Sequence, residues 1–273
     1  NLNPTKSPKT VEFALKHGYR HIDTAAAYDN EEEVGAGFKA SEVPRSEIFL
    51  TSKLSSTHHA AADVEEAVGQ SLSDLGTDYL DLYLIHWPIA FSEPADPKLR
   101  APIDPADSGI HVVDAPVEET WEALEEVVAK GKVRSIGVSN FTREVSESLI
   151  KVANIRPAVN QVEAHPYLQQ PSLLSWCEDQ GINVTAYSPS GNNVYGFHKP
   201  LNDPVVVESV TPSRIEENFV DFQLPADAMD RIDVLDRNHR HNLPARLGVD
   251  IFGEVGREAA WKGRADWIAA QKK

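Results

Sequence analysis

The 273-residue chain is 41% hydrophobic, enough to bury one large core without disulfide support. Lys and Arg total 26 against 42 Asp and Glu, and the formal charge of −16 disfavours nucleic acid and anionic membranes as partners. The single cysteine, Cys177, allows no internal disulfide, and no apolar run approaches the roughly 20 residues of a membrane span, so a cytoplasmic protein is expected.

Residues 8–17 read as a first helix, with Ser7-Pro8 placing proline at an early helical position and Gly18 at its end. A strand follows over Arg20–Ala25, then a helix over 30–40 whose first turn holds the acidic run Glu31–Glu33, where the helix dipole favours negative charge. Strand Ile48–Leu54, helix 60–75 with Gly76 behind it, and strand Tyr79–Trp87 come next. Helix 118–131, strand Arg134–Phe141, helix 142–153, strand Ala158–His165, helix 169–181 and strand Asn183–Pro189 continue the same rhythm. A last strand is expected over Val205–Ser209, with helices at 212–219, where Thr211-Pro212 starts the turn, and at 226–236.

This alternation predicts a parallel sheet with crossover helices. No linker, repeat or low-complexity tract divides the chain, so residues 1–273 are read as one domain, with 238–273 as a C-terminal tail near the sheet's functional end. Seven strands are legible, one short of a closed eight-stranded barrel. The sequence starts at Asn1 rather than a methionine and its first element is a helix, so the missing strand is expected upstream. Residues 190–204 are rich in Gly, Asn and Pro and connect two parallel strands without a helical period, an unusual crossover.

Parallel barrels place function at the C-terminal ends of their strands. The polar residues there are Asp23, Lys53, His86, Ser139, Asn140, Gln161, Tyr187, Ser188 and Ser209. Singly, each has a structural explanation: Asp23 as a cap, Lys53 as a rim cation, His86 as a satisfied core histidine. Jointly they form a convergent polar ring, which argues for a site.

Gly18-Tyr-Arg-His-Ile-Asp-Thr-Ala, followed by Tyr28, Asn30-Glu31 and Val34-Gly35, resembles the opening signature of the aldo-keto reductases. LGTDYLDLYLIHWP from Leu75 to Pro88, RSIGVSNF, VNQVEAHPYL and SVTPSRIEEN resemble four further segments of that family, and together they span most of residues 11–224. The resemblance implies an α/β fold of the (β/α)8 TIM-barrel type and NAD(P)H-dependent reduction of an aldehyde or ketone to an alcohol. It implies Tyr28 as general acid, Lys53 as the ammonium that eases loss of the phenol proton, Asp23 as its partner and His86 as the group orienting the carbonyl oxygen. Trp87 would line the substrate pocket or pack on the barrel rim. Ser139, Asn140 and Gln161 would hold the nicotinamide carboxamide, with Tyr187 stacked on the ring and Ser188 beside it. Ser209 and Arg214 would bind the 2′-phosphate of NADP(H), and Glu217 and Asn218 the adenine.

Three departures qualify that picture. The family's first strand is absent, and the region between Tyr187 and Ser209 is shorter than the family pattern by a whole helix. Glu208 stands where the family usually has a lysine beside the phosphate, which leaves NADH open as the cofactor. Two other readings therefore stand beside the reductase: a non-redox isomerase, lyase or cyclase built on the same centre, and a non-catalytic module binding cofactor or a partner. A monomer is expected unless an open barrel edge is covered by a second subunit.

No metal is expected. His239 and His241 in NHRHN and the pair His58-His59 read as solvated loop histidines without a suitably spaced acidic partner, and Cys177 reads as a small helix-face hydrophobe. Trp261 or Trp267 of the tail would close over the barrel mouth, although a plain surface helix from Glu258 is the simpler expectation.

Overall fold

The structure is a computed structural model in which residues 7–92, 110–189, 191, 219, 226–242 and 248–271 are described. The expected strand 205–209 lies outside these residues, as do Glu208, Ser209, Arg214, Glu217 and Asn218. Of the expected helix 212–219 only Phe219 is described, in a turn with its ring 4.8 Å from that of Tyr19.

Helix α1 (Ser7–Lys16) leads into β1 (His21–Asp23), α2 (Glu31–Ser41), β2 (Phe49–Leu54), α3 (Ala61–Leu75) and β3 (Leu80–Ile85). A short antiparallel pair, β4 (Ala90–Phe91) with β5 (Val112–Val113), precedes α4 (Val117–Ala129) and was not anticipated. Then come β6 (Val133–Ser139), α5 (Arg143–Val152), β7 (Val159–Glu163), α6 (Pro171–Asp179) and β8 (Asn183–Tyr187). Further helices span Ala226–Asp233 and Arg257–Gln271. Six strands pair in parallel in the order β1-β2-β3-β6-β7-β8, and the sheet curls as a half-barrel of the (β/α)8 kind.

The sequence explains why the middle of this sheet is the core. All six residues of β3 (LDLYLI) are buried, as expected for a parallel strand covered on both faces. Leu50, Leu54, Leu80, Tyr83, Ile85, Ile136 and Val138 pack with Val64, Val68 and Leu75 of α3 and with Trp121 and Leu124 of α4. The expected C-terminal glycines adopt the left-handed conformation their positions demand: φ is 66° at Gly76 and 74° at Gly131. Gly35, in the opening signature, is a packing device. A Cβ there would sit 2.7 Å from the Leu75 carbonyl oxygen, so only glycine lets α2 cross the end of α3 this closely.

At the N-terminal end of the sheet the buried Asp81 of β3 ties three strands together. Its Oδ2 accepts from Arg45 Nη2 at 2.7 Å and from the Leu50 backbone N–H at 2.9 Å, and its Oδ1 accepts from Arg134 Nη1 at 2.9 Å. Both guanidiniums also lie over the Tyr79 ring, at 3.9 and 4.0 Å from its centroid. Replacing Asp81 by alanine strands the part-buried Arg45 and a buried backbone N–H. We expect a loss of about 3 kcal/mol in urea unfolding, with little contributed by the exposed Arg134. A loss below roughly 1 kcal/mol would mean the clamp holds nothing.

Candidate active site

The parallel register brings the four expected residues to one end of the sheet. Asp23 closes β1 opposite Thr51, so Lys53 projects two residues further along β2, where it pairs with Leu84. The Lys53 side chain is wholly buried, and its Nζ donates to Asp23 Oδ1 and, at 2.8 Å, to the Thr24 carbonyl oxygen. A 3-10 turn over Ala26–Tyr28, ended by Asp29 in the left-handed conformation, carries the half-buried Tyr28 ring back over the strand ends. Its centroid is 5.1 Å from Lys53 Nζ and 5.6 Å from the His86 ring, which meets it edge-on at 79°. His86 lies one residue beyond β3. Asp23, Tyr28, Lys53 and His86 thus form one cluster.

The electrostatics of His86 define what it can do. Burial, then the Lys53 charge, then His59 push its pKa down to about 3. The ring is neutral at physiological pH and offers a hydrogen bond, not a mobile proton. His59, expected in a solvated pair with His58, is instead buried, and burial lowers its pKa to about 4. Glu31 likewise does more than favour a helix start. Its buried carboxyl accepts from Ser52 Oγ at 2.5 Å and Ser71 Oγ at 2.9 Å, and burial raises its pKa.

The second group of expected residues adjoins the first. Ser139 ends β6 opposite Gln161 of β7, and its hydroxyl donates to the Gln161 carbonyl oxygen at 2.8 Å. Asn140, held at φ 65°, donates from Nδ2 to the His86 carbonyl oxygen at 2.9 Å and to Ser139 Oγ at 3.1 Å. Its Oδ1 accepts from the Tyr187 hydroxyl at 2.6 Å. Ser188 follows at φ 50°, half-buried beside this network.

One contact joins the two groups: Gln161 Nε2 donates to Asp23 Oδ2 at 2.7 Å. In the sheet order, β1 and β7 are separated by β2, β3 and β6. In a flat sheet that separation would be roughly 19 Å, four strand spacings of about 4.8 Å, so a direct hydrogen bond requires the sheet to curl. The Asp23 carboxylate is therefore shared between Lys53 and Gln161, a link that no sequence spacing announces.

Trp87 is half-buried, with its indole 6.4 Å from the His86 ring and 6.3 Å from Phe252. Phe252 was missed because a lone aromatic in a loop carries no periodic signal. It is fixed by the Arg240 guanidinium, 3.7 Å from its centroid, and Arg240 in turn pairs with Glu254. The tail residue at the rim is thus Phe252. Trp261 lies 52% exposed on the terminal helix, and the Trp267 side chain is outside the described residues.

The expectation for the NHRHN histidines is half corrected. His239 is exposed, but His241 is buried against Glu163 and His165, an acidic partner distant in sequence. Cys177 is buried, and burial raises its thiol pKa, in keeping with a small hydrophobe.

The sequence model of the aldo/keto reductase family matches residues 1–196. Aldo-keto reductase family 1 member A1 of Rattus norvegicus is 39% identical over 280 residues, covering 88% of this chain and 85% of that protein. Aldose reductase B of Dictyostelium discoideum is 41% identical over 269 residues, covering 87% and 86%. A solved aldose reductase from Giardia lamblia superposes with a TM-score of 0.84 at 34% identity, covering 92% of this chain and 95% of that one. The parallel half-barrel with a polar cluster at its carboxyl strand ends places the molecule among the (β/α)-barrel proteins. The chain belongs to the aldo/keto reductase family.

In the unfolded chain the His86 ring titrates near pH 6.5. Acid therefore protonates the unfolded state first, and His86 lowers stability as pH falls below about 6.5. We expect its NMR ring shifts to stay constant between about pH 5 and pH 8. A midpoint near 6.5 in the folded protein would overturn the neutral-ring assignment.

Proposed function

We propose that the chain reduces the carbonyl group of an aldehyde or ketone to an alcohol with hydride from NADP(H), Tyr28 acting as general acid. The observation that carries this reading is the wholly buried Lys53 ammonium, held by Asp23 and the Thr24 carbonyl 5.1 Å from the Tyr28 ring, with the neutral His86 imidazole 5.6 Å from the same ring. As hydride adds to the carbonyl carbon, negative charge develops on oxygen, and the Tyr28 hydroxyl supplies the proton that neutralises it. The fixed ammonium offsets the charge left on the phenol oxygen, an interaction strengthened by exclusion of water. A neutral His86 can donate one N–H to the substrate oxygen and hold it toward Tyr28, and Trp87 with Phe252 would form the apolar wall beside it.

The donor set fits a nicotinamide. Ser139, Asn140 and Gln161 are buried and supply one hydroxyl and two amides, a complement to a carboxamide's own donor and acceptor. Bound there, the nicotinamide supplies the hydride. Tyr187 would turn its ring to the nicotinamide face, with Ser188 beside it. By similarity to the family, Ser209 and Arg214 would take the 2′-phosphate, and Glu217 and Asn218 the adenine. We read residues 1–273 as one domain whose tail, 238–273, contributes the pocket wall. No helix among the described residues is long and apolar enough to cross a membrane, and a cytoplasmic location fits the acidic chain and its single buried cysteine.

Tyr28→Phe should lower kcat by roughly 10²- to 10⁴-fold while NADPH affinity, read by quenching of intrinsic fluorescence, stays within about twofold. Retained turnover would remove Tyr28 as the acid, and failure of the wild-type chain to bind either NADPH or NADH would remove the reductase reading. Glu208→Lys should tighten NADPH relative to NADH by about tenfold, a charge reversal worth roughly 1.4 kcal/mol in all beside the phosphate. Equal affinities before and after would place Glu208 away from the phosphate.

A further inference from the structure

Outside the reductase site, the carboxyl end of β7 meets the tail at a buried cluster of different chemistry. Glu163 and His165 are two residues apart, and His241 arrives from the tail. All three are buried, and one potential ligand atom from each lies within 4.8 Å of the others. The His165 and His241 rings are 4.6 Å apart, tilted by 31°. Glu163 Oε1 faces His165 Nε2 at 2.9 Å and accepts the His241 backbone N–H at 2.8 Å, and Oε2 accepts the Asn242 backbone N–H at 2.9 Å.

We propose that Glu163, His165 and His241 bind a divalent transition-metal ion of the Zn²⁺ class, which fastens the C-terminal tail to the barrel.

Three features support this assignment. First, a carboxylate and two imidazoles form an accepted zinc donor set, with the fourth position left to water. Second, the Glu163 charge is buried, and its one ion-pair partner among the described residues is His165, which is charged only if protonated. Buried charges are paired or coordinate metals. Third, the donor atoms are already gathered. Ligand atoms on tetrahedral zinc, with bonds of about 2.0–2.1 Å, lie about 3.3 Å apart, close to the 2.9 Å between Glu163 Oε1 and His165 Nε2 and within the 4.8 Å that bounds all three.

The site is assembled by the tail, so the ion enters as the tail docks. The consequence reaches the pocket rim. The His239 backbone N–H donates to the Tyr167 carbonyl oxygen at 2.9 Å, and Arg240 pairs with Glu254 and covers Phe252, the residue set against Trp87. An ion at His241 would hold this whole run in place.

The test uses tag-free full-length protein stripped with EDTA. Titration with Zn²⁺ alone should show one high-affinity equivalent per chain and raise Tm by roughly 5 °C at a hundredfold excess over Kd. His241→Asn should lose that equivalent and the Tm response. Should this variant fold poorly, Co²⁺ added to the wild-type chain decides by itself: intense visible d–d bands of a four-coordinate site support the proposal, and the weak spectrum of hydrated Co²⁺ overturns it. No Zn²⁺ uptake by the wild-type chain, or undiminished uptake by a folded His241→Asn variant, also overturns it. None of these readouts uses turnover or NADPH, so they stand apart from the reductase reading.

Discussion

A lysine ammonium with no exposed surface is costly to bury, and at Lys53 the cost is offset by two oxygens on the preceding strand and turn, Asp23 Oδ1 and the Thr24 carbonyl. That requirement fixes β1 beside β2 in one register. Asp23 is in turn shared with Gln161, from a strand four places across the sheet, so the same charge demands curvature as well as pairing. Tyr28 and His86 are placed around this point, and Asn140 holds the His86 backbone from β6. The site is thus the place where the curled sheet compensates its buried cation.

The two ends of the sheet divide the work. At the N-terminal end, Asp81 joins β2, β3 and β6 through Arg45, Leu50 and Arg134. At the C-terminal end the polar residues are held by one another, through Ser139, Asn140, Gln161 and Tyr187. These bonds link the ends of β6, β7 and β8. Stability is concentrated at one end and exchangeable hydrogen bonds at the other, the division seen in barrel enzymes generally.

Local signals carried the elements well. Strand–helix alternation and C-terminal glycines placed β1 to β3 and β6 to β8 within a few residues, because period and capping are properties of neighbours in sequence. The β4–β5 pair escaped because two-residue strands have no period. Gly35 was legible as part of a signature but not as the contact between α2 and the end of α3, since the Leu75 carbonyl it accommodates lies far along the chain.

The sequence by itself determined the fold class, the family and the identities of Asp23, Tyr28, Lys53 and His86, because strand ends converge in any parallel barrel and the motifs name which residues stand there. Tertiary structure alone decided who meets whom over long separations. Gln161 reaches Asp23, Phe252 reaches Trp87, and His241 leaves solvent for a pocket with Glu163 and His165. The physical reason is common to all three. Periodicity states which face of an element is buried, whereas the partner on the other side is chosen by the curvature of the sheet and the path of the tail.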